Sequence, residues 1–264
     1  MTNIQFQRGA VDASTAISSA WELIKGNYGL YLGVAVVAMV LTGCIPCLNL
    51  FLVGPVMGGV YFFALRAMRN EPVEFGMMFK GFEKFVPLMV IGLIQAIPGI
   101  IAQVLRFTVN IGQLGLSGGR NREMDFFMAS DKDVAIASGL VIVAVIVGIV
   151  FMIFALVWWM VFFFAIPLAM EHDLGPVDAI KLSAQASMAN IGGLIVMLIL
   201  SILVGLLGVL MCGIGVILVS TPIIYIANAF VYRQVFPYTG EQQFNMAPPP
   251  PASYGDFGRG MPAN

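Results

Sequence analysis

Charge is what this chain has least of. Only 10% of its 264 residues are Asp, Glu, Lys or Arg, while 59% are hydrophobic. A soluble domain carries about 25% charged residues, and a soluble fold of this size needs more polar surface than these residues supply. An excess of basic charge is missing too. With 14 acids against 13 bases the net charge is −1, which removes the general case for a nucleic-acid partner. Histidine is nearly absent. The single one, His172, stands between Glu171 and Asp173. Neighbouring helical residues point about 100° apart, so the three cannot face one ion; they read as an interfacial turn. A zinc site or a Ser-His-Asp triad needs more ligands than the chain provides. The expectation is a protein without catalytic residues, metal or cofactor, not an enzyme.

What the chain has instead is long uncharged runs, at 28–65, 86–105, 134–170 and 182–232. Each reaches the roughly 20 residues that cross a hydrocarbon core about 30 Å thick. The first is too long for one crossing and is punctuated at Gly43-Cys44-Ile45-Pro46-Cys47-Leu48-Asn49. Glycine freedom and proline clash end helices there, giving spans near 28–45 and 48–68. The run 86–105 is a third span, with Pro98, Gln95 and Gln103 inside it, and the proline predicts a kink. The run 134–170 has no turn-forming residue between 151 and 166. It reads as one long tilted span, kinked at Gly148 or Pro167. The last run splits at 208–215 into spans near 191–209 and 214–233, making six. The fold class is therefore all-α, a polytopic transmembrane bundle of about six spans.

Six spans also sort the bases. Arg8, Lys25, Arg66, Arg69, Lys80, Lys84, Lys181, Arg233 and Arg259 fall on one side, and Arg106, Arg120, Arg122 and Lys132 on the other. By the positive-inside rule the richer side, with both termini, is cytoplasmic. Residues 1–27 do not read as a signal peptide, so insertion is expected to use the first span.

Two segments between spans read as interfacial amphipathic helices. In 12–27, Asp12 is the expected N-cap, and Ile17, Ala20, Trp21 and Ile24 share a face. In 71–85, Phe75, Met78, Phe79, Phe82 and Phe85 form a stripe opposite Lys80, Glu83 and Lys84. The loop 106–133 is the sizeable one on the outer side. Three domains follow: an N-terminal segment 1–10, a transmembrane domain 11–237, and a Pro-rich tail 238–264 expected to be disordered.

The chain's two ends resemble each other. Ala16-Ile17 and Ala179-Ile180 each open a helix that reaches an asparagine, Asn27 or Asn190, and then a two-span hairpin. Pro55 precedes Arg66 as Pro222 precedes Arg233. This is a weak internal repeat, slipped at the hairpin tip, of a kind found at transporter sites and in plain duplicated scaffolds.

These features carry a family resemblance over about residues 10 to 237. They include Val53-Gly54-Pro55-Val56-Met57-Gly58-Gly59, Ile166-Pro167-Leu168-Ala169-Met170-Glu171, Gly175-Pro176 and Cys212-Gly213-Ile214-Gly215. The pattern resembles uncharacterised bacterial polytopic membrane proteins similar to the membrane domain associated with glycerophosphodiester phosphodiesterases. The resemblance implies a helical membrane fold in a bacterial inner membrane and carries no activity.

No acid or base lies inside a span, against a proton-coupled pump. Candidate ligand-binding residues are Gln95, Gln103 and Asn228 within the membrane, and Arg66 and Arg233 at repeat-related span ends, where lipid phosphates or simple snorkelling are both open. Cys44, Cys47 and Cys212 fall at the two hairpin tips on the outer side. They fit three uses: apolar filler, a structural disulfide or a redox pair. Expected partners are membrane lipids, membrane proteins or a second copy. The expected role is to organise lipids or partner proteins; the alternative is passive passage of a small neutral or amphipathic solute.

Overall fold

The structure is a computed structural model. It describes residues 4–43, 46–117, 131–211 and 213–238, with backbone alone at 46–48, 108–117 and 131–141. The cysteine positions 44, 47 and 212, most of the 106–133 loop and the tail beyond Tyr238 therefore lie outside the described side chains. Among the described residues there is no strand. The helices are α1 (Ala13–Lys25), α2 (Tyr28–Gly43), α3 (Pro46–Met68), a 3-10 helix (Phe75–Lys84), α4 (Phe85–Ser117), α5 (Asp131–Phe162), α6 (Ala165–His172), α7 (Pro176–Ala189), α8 (Ile191–Leu210), a π-helical turn (Val216–Ser220) and α9 (Thr221–Val235).

Five helical stretches are long and apolar enough to cross a membrane, ending at Met68, Phe107, His172, Leu210 and Val235. The sixth expected span is α2, 16 residues long and joined to α1 at an angle of 111°. The membrane is needed by α5 above all. Every residue from 142 to 150 is exposed, although none is polar. A helix that is apolar all round and uncovered by its own chain needs a non-aqueous solvent. Its twelve Ile, Val, Leu and Phe residues between 142 and 157 favour lipid by about 4–7 kcal/mol in sum.

The long 134–170 run does not kink at Gly148. It breaks at Phe163-Phe164, between α5 and α6. Pro167 has no N–H for the carbonyl four residues back, that of Phe163, and its ring crowds that carbonyl. A serine on another helix stitches the break. Ser183 Oγ donates to Val161 O at 2.6 Å and accepts from Phe164 N–H at 3.1 Å.

Helix α3 is central, touching α2, the 3-10 helix, α4, α6 and α9. Its Gly-Pro-x-x-Gly-Gly stretch explains how. A Cβ on Gly54 would fall 1.9 Å from Leu88 O, one on Gly59 1.6 Å from Met78 O, and one on Gly81 1.9 Å from Pro55 O. Only glycine lets these backbones meet, the usual device where apolar burial cannot drive helices together in lipid.

Helix α1 starts on Asp12 as expected, its carboxylate accepting from the backbone N–H of Ser14 and Thr15. Its buried face is Ala13, Ala16, Ala20 and Ile24 against α9. Trp21, expected on that face, is 44% exposed; the alanine stripe sits closer to α9 than an indole would allow. The second amphipathic segment is a 3-10 helix with Met78 and Gly81 inward. Phe75 and Phe79 are exposed, and Phe75, Phe79, Phe82 and Phe85 form a chain of rings 6.1–6.3 Å apart. The glycine contact sets the inner side and leaves Phe75 and Phe79 exposed, while Phe82 packs against the core.

Candidate functional site

Two polar places stand out, one at membrane depth and one at a bundle end. The first begins where α3 and α4 cross. A Cβ on Gly92 would lie 2.9 Å from Gly54 N, so the two helices touch through glycines. Beyond the crossing a groove of about 810 Å³ opens between Asn49, Leu50 and Val53 on α3 and Gln95, Ala96, Gly99, Ile100, Gln103, Val104 and Phe107 on α4. Pockets of about 300–1,000 Å³ accept small-molecule ligands. Its walls are mostly apolar, and no charged side chain lines it among the described residues. The side-chain oxygens of Asn49 and Gln95 are buried and have no hydrogen-bond partner. In an apolar medium such an orphan costs about 1–3 kcal/mol.

A smaller cavity of about 120 Å³ adjoins, lined by Val53, Met57, Tyr61, Gln95, Trp159 and Asn228, among others. Gln95 and Val53 belong to both. Gln95 thus shares the groove with Gln103, about 12 Å along α4, and the cavity with Asn228. The groove residue that the sequence reading placed only at the hairpin tip is Asn49. Its signal was available: a lone amide beside a hairpin tip, about one and a half α-turns before Gly54.

The second place is built on Glu171, the first charge after the long apolar run. Its side chain is 14% exposed. Oε1 pairs with Arg233 Nη2 at 2.7 Å and with Arg69 Nη2 at 3.5 Å, and Oε2 accepts from the Tyr232 hydroxyl at 2.6 Å. Arg233 also donates to Phe236 O at 3.1 Å, and the Tyr238 ring lies 3.5 Å from its guanidinium carbon. The Tyr238 hydroxyl reaches Leu65 O at 3.1 Å. Tyr238, counted with the tail by sequence, is therefore packed on the bundle. Arg66 pairs with Glu71 at 2.8 Å and lies over the Phe62 ring. Lys84 caps α6 through Met170 O at 2.6 Å and pairs with Asp173. This is a clasp holding α3, α6 and the end of α9. Arg233 directs Nη1 and Nη2 into the clasp while its buried Nε has no partner, and Arg66, at 40% exposure, is the more open of the two. Glu171, Arg69, Tyr232 and Tyr238 were not singled out from sequence, because their partnerships join distant segments.

The N-terminal segment closes the same end. Asn190 accepts from Ala10 N–H at 2.9 Å and donates to Gln7 O at 3.0 Å and Ala186 O at 2.8 Å. Gln234 exchanges two bonds with the Asp12 backbone at 2.9 and 3.0 Å.

No family model matches the chain, and no solved structure matches it. It is similar to the uncharacterized protein Rv2560 of Mycobacterium tuberculosis, 30% identical over 112 residues, covering 42% of this chain and 34% of that protein. The uncharacterized protein Mb2590 of Mycobacterium bovis is 29% identical over 112 residues, with the same coverage. The chain spans about a third of the length of the curated relatives it matches.

Proposed function

We propose that this multi-pass membrane protein is a non-enzymatic organiser of lipids, and that the α3–α4 groove is where it holds one. The observation that carries this reading is the groove itself: about 810 Å³ at membrane depth, mostly apolar, with two unpartnered amide oxygens in its wall. A bilayer offers such a site lipid before anything else. The outward phenylalanines of the 3-10 helix and the basic residues at the same end suit a headgroup layer, where aromatic rings and snorkelling bases settle. Arg66 is the base we assign to lipid phosphate there. In this reading the membrane is a bacterial inner membrane, both termini are cytoplasmic, and the two helix-plus-hairpin units, α1–α3 and α7–α9, derive from one duplicated unit. Native mass spectrometry of the protein in mild detergent tests the proposal. A discrete lipid adduct that survives stepwise activation is expected; bare protein, or a smear of unspecific lipid, would overturn it.

A second reading is passive passage of a small neutral or amphipathic solute. Gln95 favours it, because this one amide borders both the groove and the cavity beside Asn228. That arrangement sets Gln103, Gln95 and Asn228 in sequence across the bundle. Vesicles containing the protein would then leak small polyols faster than empty ones, and Gln95→Leu would slow the leak. Vesicles as tight as protein-free controls remove this reading.

A further inference from the structure

The groove specifies more than a lipid. Resting on the lipid-organising proposal, we infer that its occupant is an uncharged lipid with free hydroxyls on its head, of the mono- or diacylglycerol class.

Among the described residues no Lys, Arg, Asp or Glu lines the groove. A phosphate or ammonium head placed there would lose water and gain no counter-charge, the costliest burial there is. The bases that could pair with a phosphate lie at the other end of α3: Arg66, about 25 Å from Asn49 along the helix, and Arg69, just past the helix end. A phospholipid bound through its head at Arg66 would leave the groove's polar wall untouched.

Asn49 Oδ1 and Gln95 Oε1 are buried acceptors without donors. A pure hydrocarbon chain leaves both unpaired. A hydroxyl supplies a donor to each oxygen and can also accept from an amide N–H. Both amides line the groove with their oxygens covered by protein, so a head with two hydroxyls, or one hydroxyl beside an ester, pairs them once each amide swings toward the groove.

Ile100, Val104 and Phe107 on the groove's α4 wall are exposed, so the groove opens on the lipid side of the helix. An acyl chain lies against that wall while the head reaches Gln95. Gly99 adds room: a Cβ there would meet nothing within 4 Å.

The test uses the full chain in phosphatidylcholine vesicles doped with a photoreactive, clickable diacylglycerol. Adducts should map to 49–53 and 95–107 and be competed by dioleoylglycerol against the excess phosphatidylcholine. Gly99→Leu, which fills open space, should cut them at least ten-fold. Asn49→Leu and Gln95→Leu should each cost about five-fold, the weight of one hydrogen bond. Adducts spread along the exposed α5, or unchanged in Gly99→Leu, overturn the inference. Stronger labelling of the groove by photoreactive phosphatidylglycerol overturns the uncharged class while sparing the lipid-organising proposal. Failure of both probes to give a saturable adduct overturns both. Size-exclusion profiles of each variant separate lost binding from lost folding.

Discussion

At the scale of single residues, the described polar groups divide into those with a completed set of partners and those without. Glu171 belongs to the first kind. Its two oxygens meet Arg233, Arg69 and Tyr232, and both Glu171 and Arg233 are about nine-tenths covered. Breaking a buried pair from one side leaves the other charge stranded, at about 3–5 kcal/mol when burial is complete. Partial exposure and a second acceptor at Phe236 O reduce that here, so Glu171→Gln should destabilise by about 2–4 kcal/mol. Arg66→Ala removes a pair 40% and 34% exposed and should cost under about 1 kcal/mol. Thermal unfolding in detergent compares them; equal shifts would mean the clasp holds nothing. Tyr28 is another completed case. Pro222 cannot donate to Leu218 O, and the Tyr28 hydroxyl takes that carbonyl at 2.5 Å instead. Tyr28→Phe returns the carbonyl to the membrane unpaired and should cost about 1 kcal/mol, read by the same melt.

At the scale of elements, α1 is held by its cap and its alanine face. Asp12 accepts from the Thr15 and Ser14 hydroxyls and from both their N–H groups, which lowers its pKa from 3.8 to about 2. The folded value is depressed, so the cap's contribution is complete above about pH 4 and fades as pH falls toward 2. Asparagine caps as well as aspartate and does not titrate. Acidification from pH 5 to 3 should therefore lower the melting temperature of the wild type more than that of Asp12→Asn; parallel curves would show that Asp12 is not the acid-sensitive cap. The glycine contacts predict a sharper contrast. Gly59→Ala puts a Cβ 1.6 Å from Met78 O, whereas Gly99→Ala meets open space. Overpacking of this kind costs about 1–3 kcal/mol or more, with backbone atoms on both sides unable to yield. Gly99→Ala should be neutral or stabilising by up to about 1 kcal/mol, as alanine is the better helix former. Monodisperse yield in detergent should collapse for the first and hold for the second.

At the scale of the whole molecule, what sequence made legible follows from what is local. Uncharged runs of sufficient length gave the spans, since lipid solvates any apolar helix without asking for a partner. Gln95 and Gln103 were legible because an amide inside such a run is conspicuous. A kink caused by Pro167 was legible too; that the helix parts at Phe163-Phe164, where Ser183 of another helix takes up the freed groups, was not. The clasp was not either: Glu171 finds Arg69, Tyr232 and Arg233 at separations of 102, 61 and 62 residues, and no local pattern announces such a meeting. The inward side of the 3-10 helix depended on a glycine contact that hydrophobic periodicity cannot weigh. The least partnered element, α5, then gives the most direct test of the whole arrangement. Its lipid preference of about 4–7 kcal/mol barely exceeds the 2.5–3.5 kcal/mol or so that an arginine costs at mid-span. With Ile146→Arg, a fraction of chains should fail to insert α5, and in those α8 and α9 would enter reversed. A C-terminal reporter would then divide between the two sides of the membrane, whereas the six-span proposal expects the wild type to report one side, the same as the N-terminus. Glu74→Arg, at an exposed position that already carries charge, should leave the reporter undivided. An undivided reporter in Ile146→Arg would mean that the arginine finds cover, and α5 would then face protein in a larger assembly rather than lipid.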